Sequence, residues 1–463
     1  MKRLFGTDGM RGEAGRFPLD AATVGIVGAS LGNHLRKKLG RTPLILIGRD
    51  TRESGEWLEQ ALVAGLASAG AESKSAGVMT TPGVAFLART LRADAGVVIS
   101  ASHNAYRDNG VKIFAPSGRK LDEETELLIE NDVFSQVEAL SKAKRNNAAN
   151  PSFTPSKIAA NNEAADLKAR YSGFLANEIG RGISIKGVRV VLDCANGAAS
   201  NIAPELFGRL GALVTAINNN PDGRNINLEC GSLHTEGLQH EVLRQNADLG
   251  VAFDGDADRA MFVDAKGRLI NGDATLWVLG KYLHARQQLA HDTIVATVMS
   301  NIGLEQAFQS LGLRLVRTAV GDKYVLDELL RLGASLGGEQ SGHIIFPKLS
   351  LAGDGFITTL ALLRAMTEEG EAVQELTEGF RTFPQILVNV EVRTKRPFAE
   401  VESIQNSVRQ IESQLGSQGR LLLRYSGTEP LARVMIEGES QYEIEKHAEE
   451  LASVIRKALG GLD

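Results

Sequence analysis

Short apolar runs rich in β-formers alternate along this chain with stretches of helical periodicity. Residues 44–47, 95–99, 188–192, 249–253 and 294–298 read as buried strands, because they are almost unbroken by polar side chains. Three of them share one plan. Residues 44–47 run into Gly48-Arg-Asp-Thr-Arg52, residues 188–192 into Asp193-Cys-Ala-Asn-Gly197, and residues 294–298 into Met299-Ser-Asn-Ile-Gly303. A polar or Gly-containing turn follows each strand, and a helical stretch follows the turn. Repetition of that unit predicts three related α/β domains with mixed, largely parallel sheets. Between Asp20 and Gly40, Val24, Val27 and Leu31 recur at helical spacing, with Asp20 as N-cap and Gly40 as the stop.

The texture changes twice. Residues 141–162 are rich in Lys, Asn, Ala, Ser and Pro and lack periodicity, which predicts a linker. From about residue 372 the pattern is that of an α+β domain. Residues 386–392 alternate like a half-exposed strand, and Ser440-Gln-Tyr-Glu443 opens a helix that closes at Gly460. The expected division is a first domain over 1–140, the linker, a second domain over 163–256, a third over 257–371 and a fourth over 372–463.

Composition narrows the function classes. A chain of 463 residues with 43% hydrophobic and 23% charged residues is long enough for several ordinary globular domains. With 51 basic and 56 acidic residues, the formal charge of -5 argues against a nucleic-acid partner. Two cysteines, Cys194 and Cys230, do not make a disulfide framework and point to the cytoplasm. No apolar run is long enough for a membrane span, and no secretory leader is expected at the start.

Four loops carry candidate chemistry. Ser100-Ala-Ser102-His103-Asn104 follows the strand at 95–99 and leads towards Lys112. A free serine needs a base or a strongly electrophilic partner, and His103 and Lys112 could orient or neutralise a phosphate on Ser102. Asp254-Gly-Asp256-Ala-Asp258-Arg259 sits between the apolar residues 249–253 and 260–263. Three alternating carboxylates repel one another unless a cation sits among them, and hard oxygen ligands suit Mg²⁺. An EF-hand fails on this loop, since Arg259 stands at the glycine position and Ala265 at the terminal glutamate position. Glu339-Gln-Ser341-Gly-His343 offers directional hydrogen bonds to sugar hydroxyls or an amine, and His343 can exchange a proton. In Arg424-Tyr-Ser426-Gly427-Thr428-Glu-Pro-Leu-Ala-Arg433, hydroxyls, backbone N–H groups and guanidinium make an anion nest.

Other readings have less support. Gly-x-Ser-x-Gly occurs around Ser30 and Ser335, but neither serine follows a strand and precedes a helix, as a nucleophile elbow requires. There is no P-loop. A phosphatase would release phosphate with the same serine and metal, and a sugar-phosphate sensor would not need both.

Together the four loops, in this order, resemble the α-D-phosphohexomutase superfamily over essentially the whole chain. Phe5-Gly-Thr-Asp-Gly-Met-Arg11-Gly12, the Gly338-Glu-Gln-Ser-Gly342 form of the sugar loop and Arg424-Tyr-Ser-Gly-Thr-Glu-Pro430 are similar to the bacterial phosphoglucosamine mutase branch. The resemblance implies that Ser102 carries a phosphate and that Asp254, Asp256 and Asp258 hold one Mg²⁺ with an oxygen of that phosphate. Arg259, Arg11 and Lys112 would line the reacting centre, while Glu339, Ser341 and His343 would contact the sugar. Arg424, Ser426, Gly427 and Thr428, with Arg433 nearby, would clamp the phosphate that is not reacting.

The implied reaction interconverts glucosamine 6-phosphate and glucosamine 1-phosphate through a 1,6-bisphosphate, in a central cleft. It would feed amino-sugar nucleotide and cell-wall precursor synthesis. The alternative is a phosphoglucomutase or phosphomannomutase of the same superfamily. Glucosamine or glucose 1,6-bisphosphate would act as activator, Ser102 would first be phosphorylated by the protein itself or by a kinase, and a homodimer is suggested. Lys112 and His343 are the candidate proton carriers. One departure is Ala105, where the superfamily's loop usually has proline.

Overall fold

The computed structural model describes residues 4–6, 8–145, 162–426 and 429–460. By its contacts the chain divides into one unit of Met1–Thr297 with Thr318–Glu378, and another of Val298–Arg317 with Gly379–Asp463.

Three sheets organise the first unit. In the largest, the strands run in space Phe5–Gly6, Gly9–Glu13, Asp108–Phe114, Ala95–Ile99, Leu44–Arg49 and Glu72–Val78. The pairs around Leu44–Arg49 are parallel, and those on either side of Asp108–Phe114 are antiparallel. The second sheet runs Leu269–Ile270, Ala260–Asp264, Leu249–Phe253, Arg189–Asp193 and Leu213–Ile217, parallel around Arg189–Asp193 and antiparallel towards the other edge. In the third, Thr293–Thr297 pairs parallel with Leu336–Gly338, which pairs antiparallel with Ile344–Ile345. Ala95–Ile99, Leu249–Phe253 and Thr293–Thr297 are buried along their whole length, which is why they read as continuous runs rather than alternating ones.

The helix Ala21–Leu39 has the caps its sequence predicts. Asp20 accepts from Thr23 N, and Gly40 takes the left-handed conformation. This helix lies against Glu53–Ser68 at backbone contact. A Cβ at Gly28 would come within 2.4 Å of Leu62 O, and one at Gly65 within 2.0 Å of Gly25 O. The Gly-x-Ser-x-Gly match around Ser30 is therefore part of a helix-packing stripe, and Ser30 Oγ donates to Asp132. The match around Ser335 lies between the helix Asp322–Leu332 and the strand Leu336–Gly338, as read.

Two boundaries differ from the sequence pattern by more than one residue. The strand from Leu44 continues to Arg49, because Gly48 and Arg49 still pair with Val98 and Ile99. The expected linker at 141–162 begins inside the helix Glu123–Arg145, and the helix Asn162–Phe174 starts at its last residue. The linker residues between these helices lie outside the described residues.

In the second unit Gln385–Glu391, Leu431–Glu437 and Arg420–Tyr425 form an antiparallel sheet. The helices Glu402–Leu415 and Gln441–Leu459 bury Ile404, Ile411, Ile444, Leu451 and Ile455 in one core with strand residues Val390, Val434 and Ile436. Ser440 caps the last helix and Gly460 ends it. No helix among the described residues is long and apolar enough to cross a membrane.

Candidate active site

Three sequence-predicted loops of the first unit emerge just past the ends of Ala95–Ile99, Leu249–Phe253 and Leu336–Gly338. Each of these strands has a parallel neighbour, and loops at such strand ends are where open α/β sheets place ligands. In the first loop Ser102 adopts φ 52°, a left-handed conformation uncommon outside glycine. Its N–H donates to Ser100 Oγ at 2.9 Å. Its own Oγ donates to Asp254 Oδ2 at 2.5 Å and stands 3.4 Å from His103 Nδ1.

The antiparallel pair Leu249–Phe253 and Ala260–Asp264 closes at Phe253 opposite Ala260, so the residues between form a tight connection with buried ends. Asp254, Asp256 and Asp258 are buried in it, and a carboxylate oxygen from each lies within 4.8 Å of the others. Asp256 Oδ2 accepts from Lys112 Nζ at 2.8 Å and from Thr81 Oγ1 at 2.5 Å. Asp256 Oδ1 and Asp258 Oδ1 are buried and lack a hydrogen-bond donor. Buried acceptors without donors are costly, and together with a third carboxylate they fit a hard divalent cation. Burial, then the charges of Asp258 and Asp256, drive the Asp254 carboxyl well above its ordinary range.

Cations surround this cluster. Burial works against a charge on Lys112, but Asp256, Asp8 and Asp258 outweigh it and hold the ammonium protonated. Its Nζ lies 3.2 Å from Asp8 and 3.5 Å from Asp258. Arg11 pairs with Asp8 and donates to Ala101 O and Asn104 Oδ1, both at 3.3 Å. Lys120 Nζ bridges Asp8 at 2.7 Å and Asp322 at 2.8 Å. Arg259 N donates to Asp254 Oδ1 at 3.2 Å, and Arg259 Nε lies 3.8 Å from Asp258. Burial, followed by the charges of Arg259 and Arg11, lowers the His103 pKa to about 4.

His343 is pulled two ways. Burial opposes protonation, yet Asp258, with Nδ1 3.6 Å from its carboxylate, raises the pKa to about 9. Gly353 N donates to Nε2 at 3.2 Å, which requires that nitrogen to accept. The hydrogen-bond geometry therefore favours a neutral ring with its proton on Nδ1, the state expected once a cation offsets the charge of Asp258.

A cavity of about 440 Å³ opens onto Arg11, His103, Asp258, Arg259, Glu339 and His343, with Asp8 and Asp322 in its wall. Glu339 Oε1 accepts from Gly321 N at 3.1 Å, and Ser341 Oγ donates to Glu339 Oε2 at 3.4 Å. Lys112 faces an adjoining cavity of about 350 Å³ that shares Asp8, Asp258, Asp322 and His343. The three predicted loops of this unit thus converge. Asp8, Thr81, Lys120 and Asp322 were not singled out from sequence. Asp8 alone had a signal, its place in Phe5-Gly-Thr-Asp-Gly.

In the second unit Arg424 and Arg433 face each other across the strands Arg420–Tyr425 and Leu431–Glu437. Burial and then the charge of Arg433 lower the pKa of Arg424. Like charges directly opposite are unfavourable, and an anion would relieve them. Arg433 also donates to Glu429 at 3.2 Å, Ser426 Oγ donates to the same carboxylate at 3.4 Å, and Lys395 Nζ donates to Ser426 O at 2.6 Å. Gly427 and Thr428 lie outside the described residues.

Sequence comparison agrees with this architecture. Models of the phosphoglucomutase/phosphomannomutase family match in chain order: α/β/α domain I over residues 2–139, domain II over 169–267, domain III over 271–383 and the C-terminal domain over 387–454. The chain belongs to this family of phosphohexomutases. The phosphoglucosamine mutase of Solibacter usitatus (strain Ellin6076) is 49% identical over 459 residues, 99% of each chain, and within the family this chain groups with the phosphoglucosamine mutases. A phosphoglucomutase/phosphomannomutase family protein from Burkholderia thailandensis has the same fold. Its TM-score is 0.76 at 23% identity, covering 98% of this chain and 97% of that one. N-acetylphosphoglucosamine mutase from Aspergillus fumigatus, solved with GlcNAc-6P and magnesium, aligns with a TM-score of 0.67 at 21% identity over 99% and 96% of the chains.

Proposed function

We propose that this chain interconverts glucosamine 6-phosphate and glucosamine 1-phosphate through a phosphorylated Ser102 and a glucosamine 1,6-bisphosphate intermediate. The observation that carries the proposal is the buried Ser102 hydroxyl, 2.5 Å from one carboxylate of a three-acid cluster, in a chain 49% identical to a phosphoglucosamine mutase. A sugar hydroxyl oxygen bonds to the phosphorus of phospho-Ser102 while the bond from phosphorus to Oγ breaks. The hydroxyl proton passes to a base in the cavity, and Ser102 Oγ regains a proton. After the bisphosphate reorients, Ser102 Oγ gives up that proton as it takes the other phosphoryl group, and the sugar oxygen left behind receives it. No phosphate is lost.

Transfer of this kind depends on positioning and on offsetting charge. Asp254, Asp256 and Asp258 would hold Mg²⁺, which when bound withdraws negative charge from the transferring group. Arg11, Arg259 and Lys112 add fixed positive charge around Ser102. Three carboxylates hold Lys112 as a cation, which favours charge neutralisation over proton abstraction. His103 is the ring nearest Ser102 Oγ. Glu339, Ser341 and His343 would bind the sugar. Arg424, Ser426, Gly427, Thr428 and Arg433 would hold the distal phosphate in either orientation.

The test is turnover by Ser102-phosphorylated protein on glucosamine, glucose and mannose phosphates, followed by phosphorus NMR. The expected result is isomerisation with kcat/KM at least about tenfold higher for glucosamine, a difference of about 1.4 kcal/mol in transition-state binding. Equal or better use of glucose or mannose phosphates would move the chain to its sister activities. Stoichiometric release of inorganic phosphate would make it a phosphatase.

A further inference from the structure

The turn that carries Ser102 is held through its carbonyls. Asn227 Nδ2 donates to Ser102 O at 2.8 Å and to Asn104 O at 3.0 Å. Arg52 reaches the same two oxygens, Asn104 O at 2.6 Å and Ser102 O at 3.3 Å, and its other guanidinium nitrogen pairs with buried Asp50. Arg52 lies in the same α/β domain as the turn. Asn227 comes from the next one, where its N–H donates to Ala195 O at 2.9 Å.

Gly255 completes the arrangement. A Cβ there would come within 2.5 Å of Ser102 O and 3.0 Å of Asn227 Nδ2. The metal-loop backbone, the Asn227 amide and the Ser102 turn therefore meet at one carbonyl. A left-handed conformation at a serine costs on the order of 1 kcal/mol and persists only where neighbours over-determine it.

We propose that Asn227 is a positioning residue for phosphoryl transfer: its amide, shared between the carbonyls of residues 102 and 104, fixes the turn that aims Ser102 Oγ at Asp254. The role rests on the phosphoserine reading above. Asn227 itself has φ 56°, so a simpler account is that asparagine stands there only because it tolerates a left-handed backbone. The two accounts diverge for glycine, which suits that backbone and has no amide. They diverge again for aspartate, which is isosteric but turns a donor into an acceptor facing two carbonyls.

Asn227→Gly, Asn227→Asp and Asn227→Ser, each loaded with phosphate on Ser102, are assayed beside the wild type for kcat, KM, melting temperature and spontaneous loss of phosphate by intact mass. The expected result is a kcat about 10- to 100-fold lower for Gly and lower still for Asp, with KM within about threefold of wild type. Ser, which keeps a short donor, recovers part of the loss, and phosphate leaves Ser102 faster in the Gly and Asp proteins.

A kcat within about twofold of wild type for Asp, or for Gly where it folds, overturns the role, as does a kcat that only tracks melting temperature across the series. Should Gly fail to fold, the isosteric Asp protein and its phosphate-loss rate decide alone. Wild-type protein that carries phosphate but does not isomerise any hexosamine phosphate fails the underlying reading instead, so the two failures are separable.

Discussion

Ser102 Oγ and Asp254 Oδ2 are joined by a 2.5 Å hydrogen bond although 152 residues separate them in sequence. The bond exists only while the hydroxyl is free, since an esterified oxygen has no proton to donate. Ser102→Ala removes both the donor and the acceptor of phosphate. It is expected to abolish isomerisation even with bisphosphate supplied, while phosphosugar affinity by calorimetry stays within about threefold. Mutase activity above about one-thousandth of wild type would refute the role given to Ser102.

Asp256→Asn leaves the size of the side chain and removes one charge from the acidic cluster. The Mg²⁺ concentration giving half-maximal rate should rise about tenfold or more, and thermal stabilisation by added Mg²⁺ should shrink with it. Lys112 loses its closest anion at the same time, so kcat should fall even at saturating metal. A metal titration that overlays the wild-type curve would remove Asp256 from the site.

Asp354 gives a pH prediction beside the acidic loop, where Gly355 N donates to Ala257 O at 3.1 Å. Burial raises its carboxyl to about 6, against the bonds from Tyr171 OH and from the N–H groups of Ile357 and Phe356. A carboxyl raised above its unfolded value of 3.8 stabilises the fold fully below that value, and the contribution is lost as pH rises through about 6. Urea unfolding of wild type and Asp354→Asn between pH 4 and pH 7 should show the wild type losing about 1–3 kcal/mol relative to the variant on going up. Parallel pH profiles would contradict the shift.

Phe356 packs against Phe253 with ring centroids 4.9 Å apart, and against Tyr171 and Phe207 at 6.3 and 6.4 Å. These rings come from four different segments of the first unit, and Phe253 is the last residue of the strand that feeds the acidic loop. Phe356→Ala should cost about 3–5 kcal/mol in chemical denaturation. Mg²⁺ affinity of the protein that remains folded should fall as well, because Phe253 immediately precedes Asp254. A loss below about 1 kcal/mol would mean that the cluster collapses without consequence.

Sequence reading succeeded where one element contains its own signal. Leu249–Phe253 and Ala95–Ile99 were legible because strands buried on both faces are continuously apolar. The helix Ala21–Leu39 was legible because its caps adjoin it. The acidic loop showed three charges within five residues. Asn227, Thr81 and Lys120 showed nothing comparable. Each is a single polar residue whose partner lies more than a hundred residues away, at 102, 256 and 8 or 322. Only folding places them together, and one sequence has no spacing that encodes it. Residues 141–145 failed differently: their composition resembles a linker, yet the helix from Glu123 runs through them.

The bare backbone at Gly255 ties two tasks together. Because no side chain fits between it and Ser102 O, the acidic loop and the proposed nucleophile turn meet backbone to backbone. Neither can be re-engineered alone. On the proposed roles, a change meant to retune cation choice is expected to displace the nucleophile, and a roomier nucleophile turn to slacken the grip on the cation.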